Sequence, residues 1–443
     1  MKLRILFSLA LLAFLFPPIS VSRASDLLVT AEGSGNVLRY DGVTGNFIEE
    51  FVPSGTGGLS RPDGITFGSD ENLYVLDIDL DQVLRFNGGN GDFIGTFGPS
   101  GLTGDCVESG PDGNFYVCDF ANDQVFQVTP QGNGVAFLSG IDGPEGLDFD
   151  ANGDIYVSGC FENAVRRFDG ATGQLIDVFV APGSAGLSCP VAVLFGPDGN
   201  LYVSDFDNNR VLRFDGVSGD FIDEFVSAGS GGLSGPFGML FRSDGNLYVA
   251  SINTDSILRY NASTGAFVDD FIPTGSGGLD DPLNMAVFPA GALQFTLANF
   301  SVDEADGNAT IDVTRINGSS GEVTVQFATS DGTAVAGTDY VAVSQVLSFA
   351  DGETSQTVSI PILADNLDEG NRTVNLTLSN PTGDAVLGDP ASALLTIEDD
   401  DEVAGGGGCA LLFSDSTSPG IHALGLGMLL IAGLGILKRT LRG

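Results

Sequence analysis

Residues 190–235 read PVAVLFGPDGNLYVSDFDNNRVLRFDGVSGDFIDEFVSAGSGGLSG. Four short runs of Val, Leu, Ile, Phe and Tyr are separated by GPDGN, DNN, DGVSGD and a Gly/Ser loop. Apolar runs bounded by Gly, Asp and Asn predict four antiparallel strands. One sheet of this kind cannot bury both of its faces, so further copies must stack against it. Copies begin at Pro144 (PEGLDF), Pro236 (PFGMLF) and Pro282 (PLNMAVF), each displaced by 46 residues. Earlier copies are PDGITFGSDENLYVLDIDLDQVLRF from 62 and GDCVESGPDGNFYVCDFANDQVFQV from 104.

Four strands in a period of about 40–46 residues predict the blades of a β-propeller. The ends of the array sharpen this. Residues 27–61 carry only the last three strands of a unit, and 282–289 carry only the first. Joined, they complete one blade, which predicts a six-bladed ring over 25–289. Closure removes the open sheet edges that would otherwise pair with other chains.

Residues 1–24 start with Lys2 and Arg4, continue as ILFSLALLAFLF, break at Pro17-Pro18 and end in small residues at Ala24. This predicts a secretory signal peptide, since an apolar core of about 12 residues is too short to span a bilayer. The formal charge is −41, and Lys2 and Lys438 are the only lysines. So acidic a surface repels nucleic acid and anionic lipid, attracts divalent cations and stays soluble in salt. Cys106 and Cys118 fall opposite each other on the first two strands of one blade. Cys160 and Cys189 fall on one rim of neighbouring blades. Bridges Cys106–Cys118 and Cys160–Cys189 are expected among three pairings, with free buried thiols as the alternative.

The PDGITF, DGNLYVSD and NNRVLRF patterns of 27–289 resemble the NHL and regucalcin-like six-bladed propellers. That architecture hosts ligand binders, lyases and lactonases. The one histidine, His422, lies in the C-terminal tail. The propeller therefore has no His base or ligand, which disfavours lyase chemistry. What remains is the second position of each inner strand, near one channel mouth: Asp63, Asp105, Glu145, Val191, Phe237 and Leu283, followed by Asn284. Asp63, Asp105, Glu145 and Asn284 offer oxygen ligands for Ca²⁺ or another hard cation. The resemblance places a metal on carboxylates and Asn at such mouths. Asp77, Asp79 and Asp81 in LDIDLDQ read as an Asp-rich turn, with half a calcium loop as the alternative.

From 300 the pattern changes to alternating strands such as ATIDVTRI, VTVQFATS, QTVSIPIL and RTVNLTLS. Seven or so strands in about 105 residues predict an immunoglobulin-like β-sandwich over 290–402, so the whole body is all-β. VDE at 302–304, SDGTAVAGTDY at 330–340, LSFADGETSQTVSIPI at 347–362, DNLDEGNRT at 365–373 and EDDD at 398–401 resemble the Calx-beta domain. The resemblance implies Ca²⁺ as cofactor at one end of the sandwich. Glu304, Asp331, Asp365, Glu369, Asp399, Asp400 and Asp401 match ligand positions, whereas Ala364 and Arg372 replace acids. Without a cation such a cluster repels itself.

Residues 403–422 hold a Gly-rich linker with Cys409, and 423–443 an apolar run ending in Lys438-Arg439. GGGGC at 405–409 resembles bacterial GG-Cys sorting signals; a plain membrane anchor is the alternative. The sum is an exported, surface-tethered module, membrane-attached through its tail, binding a protein or carbohydrate at the cell surface. A metal-dependent lactonase at the propeller mouth and an architectural spacer are the other readings.

Overall fold

The computed structural model describes residues 25–401. The expected signal peptide, the linker with Cys409 and the apolar tail lie outside the described residues. Strands and short 3₁₀ turns account for the regular structure there. No helix among the described residues is long and apolar enough to cross a membrane.

Six four-stranded antiparallel sheets form the ring. Five are continuous in sequence, with inner strands Pro62–Phe67, Val107–Ser109, Pro144–Phe149, Pro190–Phe195 and Pro236–Phe241. The sixth is composite: Pro282–Val287 pairs with Leu27–Ala31, which continues into Asn36–Tyr40 and Phe47–Val52. The ring therefore closes with the strand from the far end of the array, as the truncated first and last repeats predict.

Each motif of the repeat has a mechanical role. In DGNLY the Asp makes the turn and also anchors the buried Tyr: Asp198 accepts from the Asn200 amide at 3.1 Å and from the Tyr202 hydroxyl at 3.0 Å. Asp70, Asp112 and Asp244 hold Tyr74, Tyr116 and Tyr248 the same way, at 3.0, 3.1 and 2.7 Å. The tyrosine ring then seals the gap between blades. Tyr202 stands edge-on to Phe225 of its own outer strand at 4.8 Å and to Phe241 of the next inner strand at 4.9 Å. Tyr156 repeats this with Phe179 and Phe195. Such edge-to-face pairs contribute about 0.5–1.5 kcal/mol each beyond the area they bury.

The second strand ends in a buried Asp that ties down the loops of the opposite rim. Asp205 accepts from the Ser188 amide, Asn208 and Arg210 at 2.7–3.0 Å. Asp77 likewise accepts from the amides of Ser60, Arg61 and Leu80. Asp79 pairs with Arg61 instead. The LDIDLDQ stretch is thus an Asp-rich turn rather than half a calcium loop.

Five of the six inner strands break register near their start, as between Pro62 and Ile65 or Pro144 and Leu147, whereas Val107–Ser109 pairs without a break. Such bulges re-aim side chains, and here they leave the second-position residues at the channel mouth. Gly146 permits the tight approach of the next inner strand: a Cβ there would lie 2.5 Å from the Val191 carbonyl oxygen. Both expected disulfides form, Cys106–Cys118 within one blade and Cys160–Cys189 between two.

The second unit is a sandwich of a four-stranded and a five-stranded sheet. Ala290–Phe295 is a sandwich strand, and Leu293 and Phe295 are fully buried in its core. The five-stranded sheet contains a parallel pair, Asn299–Asp303 beside Ser392–Glu398, with Asp303 opposite Glu398.

Candidate functional site

That parallel register brings acids together at one end of the sandwich. Glu304 follows Asp303, and Asp399 and Asp401 follow Glu398, so all three emerge side by side. One carboxylate oxygen from each of Glu304, Asp399 and Asp401 lies within 4.8 Å of the others. The loop 369–370 closes over them. Asp399 accepts from the backbone amides of Glu369 at 2.7 Å and Gly370 at 2.5 Å, and from its near neighbour Asp401 at 2.9 Å. These amides hold the Asp399 carboxyl below its usual range. Glu304 is raised, first by burial and then by the charges of Asp365, Asp399 and Asp401, although the Asp365 amide donates to it at 2.9 Å. Asp401 is raised by burial and by Asp400, Asp399, Asp365 and Asp368. One of its oxygens, Oδ2, is occluded within the cluster and has no hydrogen-bond partner among the described residues. Occluded polar atoms are nearly always satisfied, and an all-oxygen set with an orphaned carboxylate oxygen fits a hard cation such as Ca²⁺.

The remaining expected ligands take other roles. Asp365 and Asp400 act on the trio through charge. Glu369 borders the same cleft but turns to Arg372, at 2.8 Å. Asp331 is engaged elsewhere: its Oδ1 accepts from the Tyr340 hydroxyl at 2.7 Å and the Ala336 amide at 2.9 Å. A carboxylate fixed by a tyrosine and a backbone amide is a structural brace, so Asp331 does not join the trio. Sequence reasoning missed Asp339. It is buried, accepts from the Val335 amide at 2.6 Å, and lies 3.5 Å from Arg372. The signal was present in GTDY, but Asp339 lies in a turn and looks like any other turn Asp until its Arg partner is located.

The second candidate is the channel mouth. Asp63, Asp105 and Glu145 meet there, joined in a line by hydrogen bonds between their carboxyls. Asn284 donates to Asp63 at 2.8 Å. Two carboxyls can share a hydrogen bond only when one keeps its proton. Burial, then the charges of Asp105 and Glu145, push Asp63 well above its ordinary range. Burial raises Asp105 to about 6 and, with the Asp105 charge, Glu145 to about 9. The three form a line, not a cage, and do not share the 4.8 Å mutual spacing of the sandwich trio.

Below the mouth the channel holds a cavity of about 370 Å³, lined among others by Glu108, Glu145, Asp148, Asn284, Val191 and Phe237. Val191 and Phe237 form wall rather than a plug. Glu108 and Asp148 were not anticipated. They sit three residues beyond the mouth positions, and an inner strand presents its second and fifth residues to the same channel once the bulge is counted. Glu108 is exposed to the channel space, and the protein surrounding the channel, with the Asp148 charge, pushes it up to about 8. Asp148 is raised to about 6 by burial, offset by amides of Phe195 and Phe149.

Residues 289–401 match the model of the Calx-beta domain. Residues 289–401 are a Calx-beta domain. Over 109 residues the chain is 36% identical to adhesion G-protein coupled receptor V1 of Danio rerio, covering 24% of this chain and 2% of that receptor. The chain thus spans a small fraction of the curated relative it matches. Among solved structures, the apo-form Calx CBD1 domain is 33% identical over 25% of this chain and 97% of its own, with a TM-score of 0.24. The nidogen/laminin complex is 15% identical over 59% of this chain and 97% of that one, with a TM-score of 0.49. Virginiamycin B lyase from Staphylococcus aureus is 18% identical over 72% and 91%, with a TM-score of 0.42.

Proposed function

We propose that this protein is an exported, surface-tethered binding module of adhesion type, whose Calx-beta domain takes Ca²⁺. The observation that carries the reading is the Glu304, Asp399 and Asp401 trio with its orphaned Asp401 oxygen. A cation there would neutralise three converging carboxylates and fix the 365–370 loop against the strand end. Arg372 supplies a resident positive charge beside the trio and occupies Glu369. That favours a single ion of modest affinity, in the range of about 10⁻⁴–10⁻³ M typical of extracellular modules.

The disulfides fit an oxidising, extracellular setting. One curated relative is by name an adhesion receptor, in keeping with an adhesion-type module. The propeller would present its rim loops to a protein or carbohydrate, and the tail with Cys409 would provide the tether. Calorimetric titration of Ca²⁺ into the chelator-stripped chain tests this. Heat of binding that disappears in Asp401→Asn and Glu304→Gln supports the site; equal binding by wild type and both variants refutes it.

A second reading is favoured by the convergence of Asp63, Asp105, Glu145 and Asn284 above a channel cavity. There the propeller would be a metal-dependent hydrolase of lactone type, the metal displacing the shared protons. Titration with Ca²⁺, Mn²⁺ and Zn²⁺ together with a lactone panel tests it. Binding lost in Glu145→Gln, with matching loss of turnover, supports it; no binding and no turnover ends it.

A further inference from the structure

The start of the described chain is clamped between the two domains. Ser25 and Asp26 are buried. The Ser25 hydroxyl donates to the Ser320 carbonyl of the sandwich at 3.3 Å, and the Asp26 amide donates to the Ser320 hydroxyl at 3.3 Å. From the propeller side, Arg242 donates to the Ser25 carbonyl and, at 2.9 Å, to the Gly42 carbonyl. Asp26 is held by Arg39 at 2.8 Å. The Ser25 nitrogen itself points at the Asp384 carboxylate of the sandwich, 3.4 Å away. Asp384 borders a cavity of about 270 Å³ at the junction, whose other charged lining residue is Arg242. The two Arg242 Nη atoms are committed to carbonyls and its buried Nε has no partner, and no guanidinium bridges Asp384 among the described residues.

We propose that cleavage between Ala24 and Ser25 creates the missing partner: the new α-ammonium of Ser25 pairs with Asp384 and locks propeller to sandwich. The step is a hydrolysis by an export signal peptidase. The Ala24–Ser25 C–N bond breaks, water delivers hydroxyl to the Ala24 carbonyl carbon and a proton to the Ser25 nitrogen, and that amine takes a further proton from solvent. A neutral amide with one hydrogen thereby becomes a cation with three donors, beside a carboxylate in a partly enclosed cavity. The maturation site and the interdomain latch are the same atom. The inference is independent of the calcium reading.

The test exploits composition. Lys2 and Lys438 are the only lysines, so in the exported protein the Ser25 α-amine and Lys438 are the only primary amines, and mass spectrometry separates them. The exported chain should begin at Ser25. Its α-amine should acylate slowly with an amine-reactive ester at pH 8, and about fivefold faster in Asp384→Asn, the change in free-base fraction expected for one unit of pKa near pH 8. Asp280→Asn, a remote acid, should leave the rate unchanged. If Asp384→Asn fails to fold, Asp384→Glu, which keeps the charge, should keep the slow rate. A different first residue, equal rates in wild type and Asp384→Asn, or fast acylation in Asp384→Glu overturns the proposal.

Discussion

Calcium should raise the melting temperature of the sandwich, and the size of the rise follows from the donor set. Three carboxylates, with Glu369 diverted to Arg372, place the site in the weak class. For a dissociation constant of about 10⁻⁴–10⁻³ M, 10 mM Ca²⁺ stabilises the folded state by about 1.4–2.7 kcal/mol. For a domain of this size that is roughly 5–10 °C. The perturbation is Asp401→Asn, which removes the acid whose oxygen lacks a partner. Its effect should change sign with the ion. In chelator the variant should melt higher than wild type, because Asp401 is pressed by Asp400, Asp399 and Asp365. In 10 mM Ca²⁺ it should melt lower, having lost a ligand. Differential scanning calorimetry of the full chain, with and without chelator, reads both. An Asp401→Asn variant whose melting rises with Ca²⁺ as much as wild type would refute the reasoning, as would a wild type indifferent to Ca²⁺ up to 10 mM.

Glu145→Gln should stabilise the propeller at high pH and do little at pH 4. The folded carboxyl is raised to about 9, so wild type loses stability as pH climbs from the unfolded value toward 9; melting curves across pH 4–9 check the slope. Gly265→Ala should cost more than about 2 kcal/mol in denaturant unfolding, since its φ is +68° and a Cβ would lie 1.8 Å from the Phe225 carbonyl oxygen. Leu28→Ala, in the strand that completes the composite blade, should cost about 2–5 kcal/mol, because Leu28 is wholly buried; a loss below 1 kcal/mol would argue against a closed ring. Removing Cys160–Cys189 as a Cys→Ser pair should cost about 2–4 kcal/mol, read by unfolding under non-reducing conditions.

Asp63, Asp105 and Glu145 share one position of the repeat, and counting along it brought them to one rim, although Asp105 precedes its strand Val107–Ser109. Asp148 escaped because the bulge shifts the alternation by a residue, and a bulge is a property of paired backbones; Glu108 escaped because only Val107–Ser109 of its stretch pairs as a strand. At the sandwich end the motif supplied seven acids, but their division of labour was hidden. Asp331 is consumed by Tyr340 and Glu369 by Arg372, partners 9 and 3 residues away whose geometry depends on loop closure.

By itself the sequence determined the periodic part of this protein: strand number per unit, the count of blades and the closure of the ring by its own ends, while the expected pairing of four cysteines needed the structure to separate it from free thiols. Those features follow from local alternation and turn chemistry repeated at fixed spacing. The tertiary structure alone decided which carboxylates converge at the channel mouth and at the sandwich end, and that Ser25 meets Asp384 359 residues away. Such contacts depend on packing between elements that no local rule connects, and burial there sets the charge state that the chemistry requires.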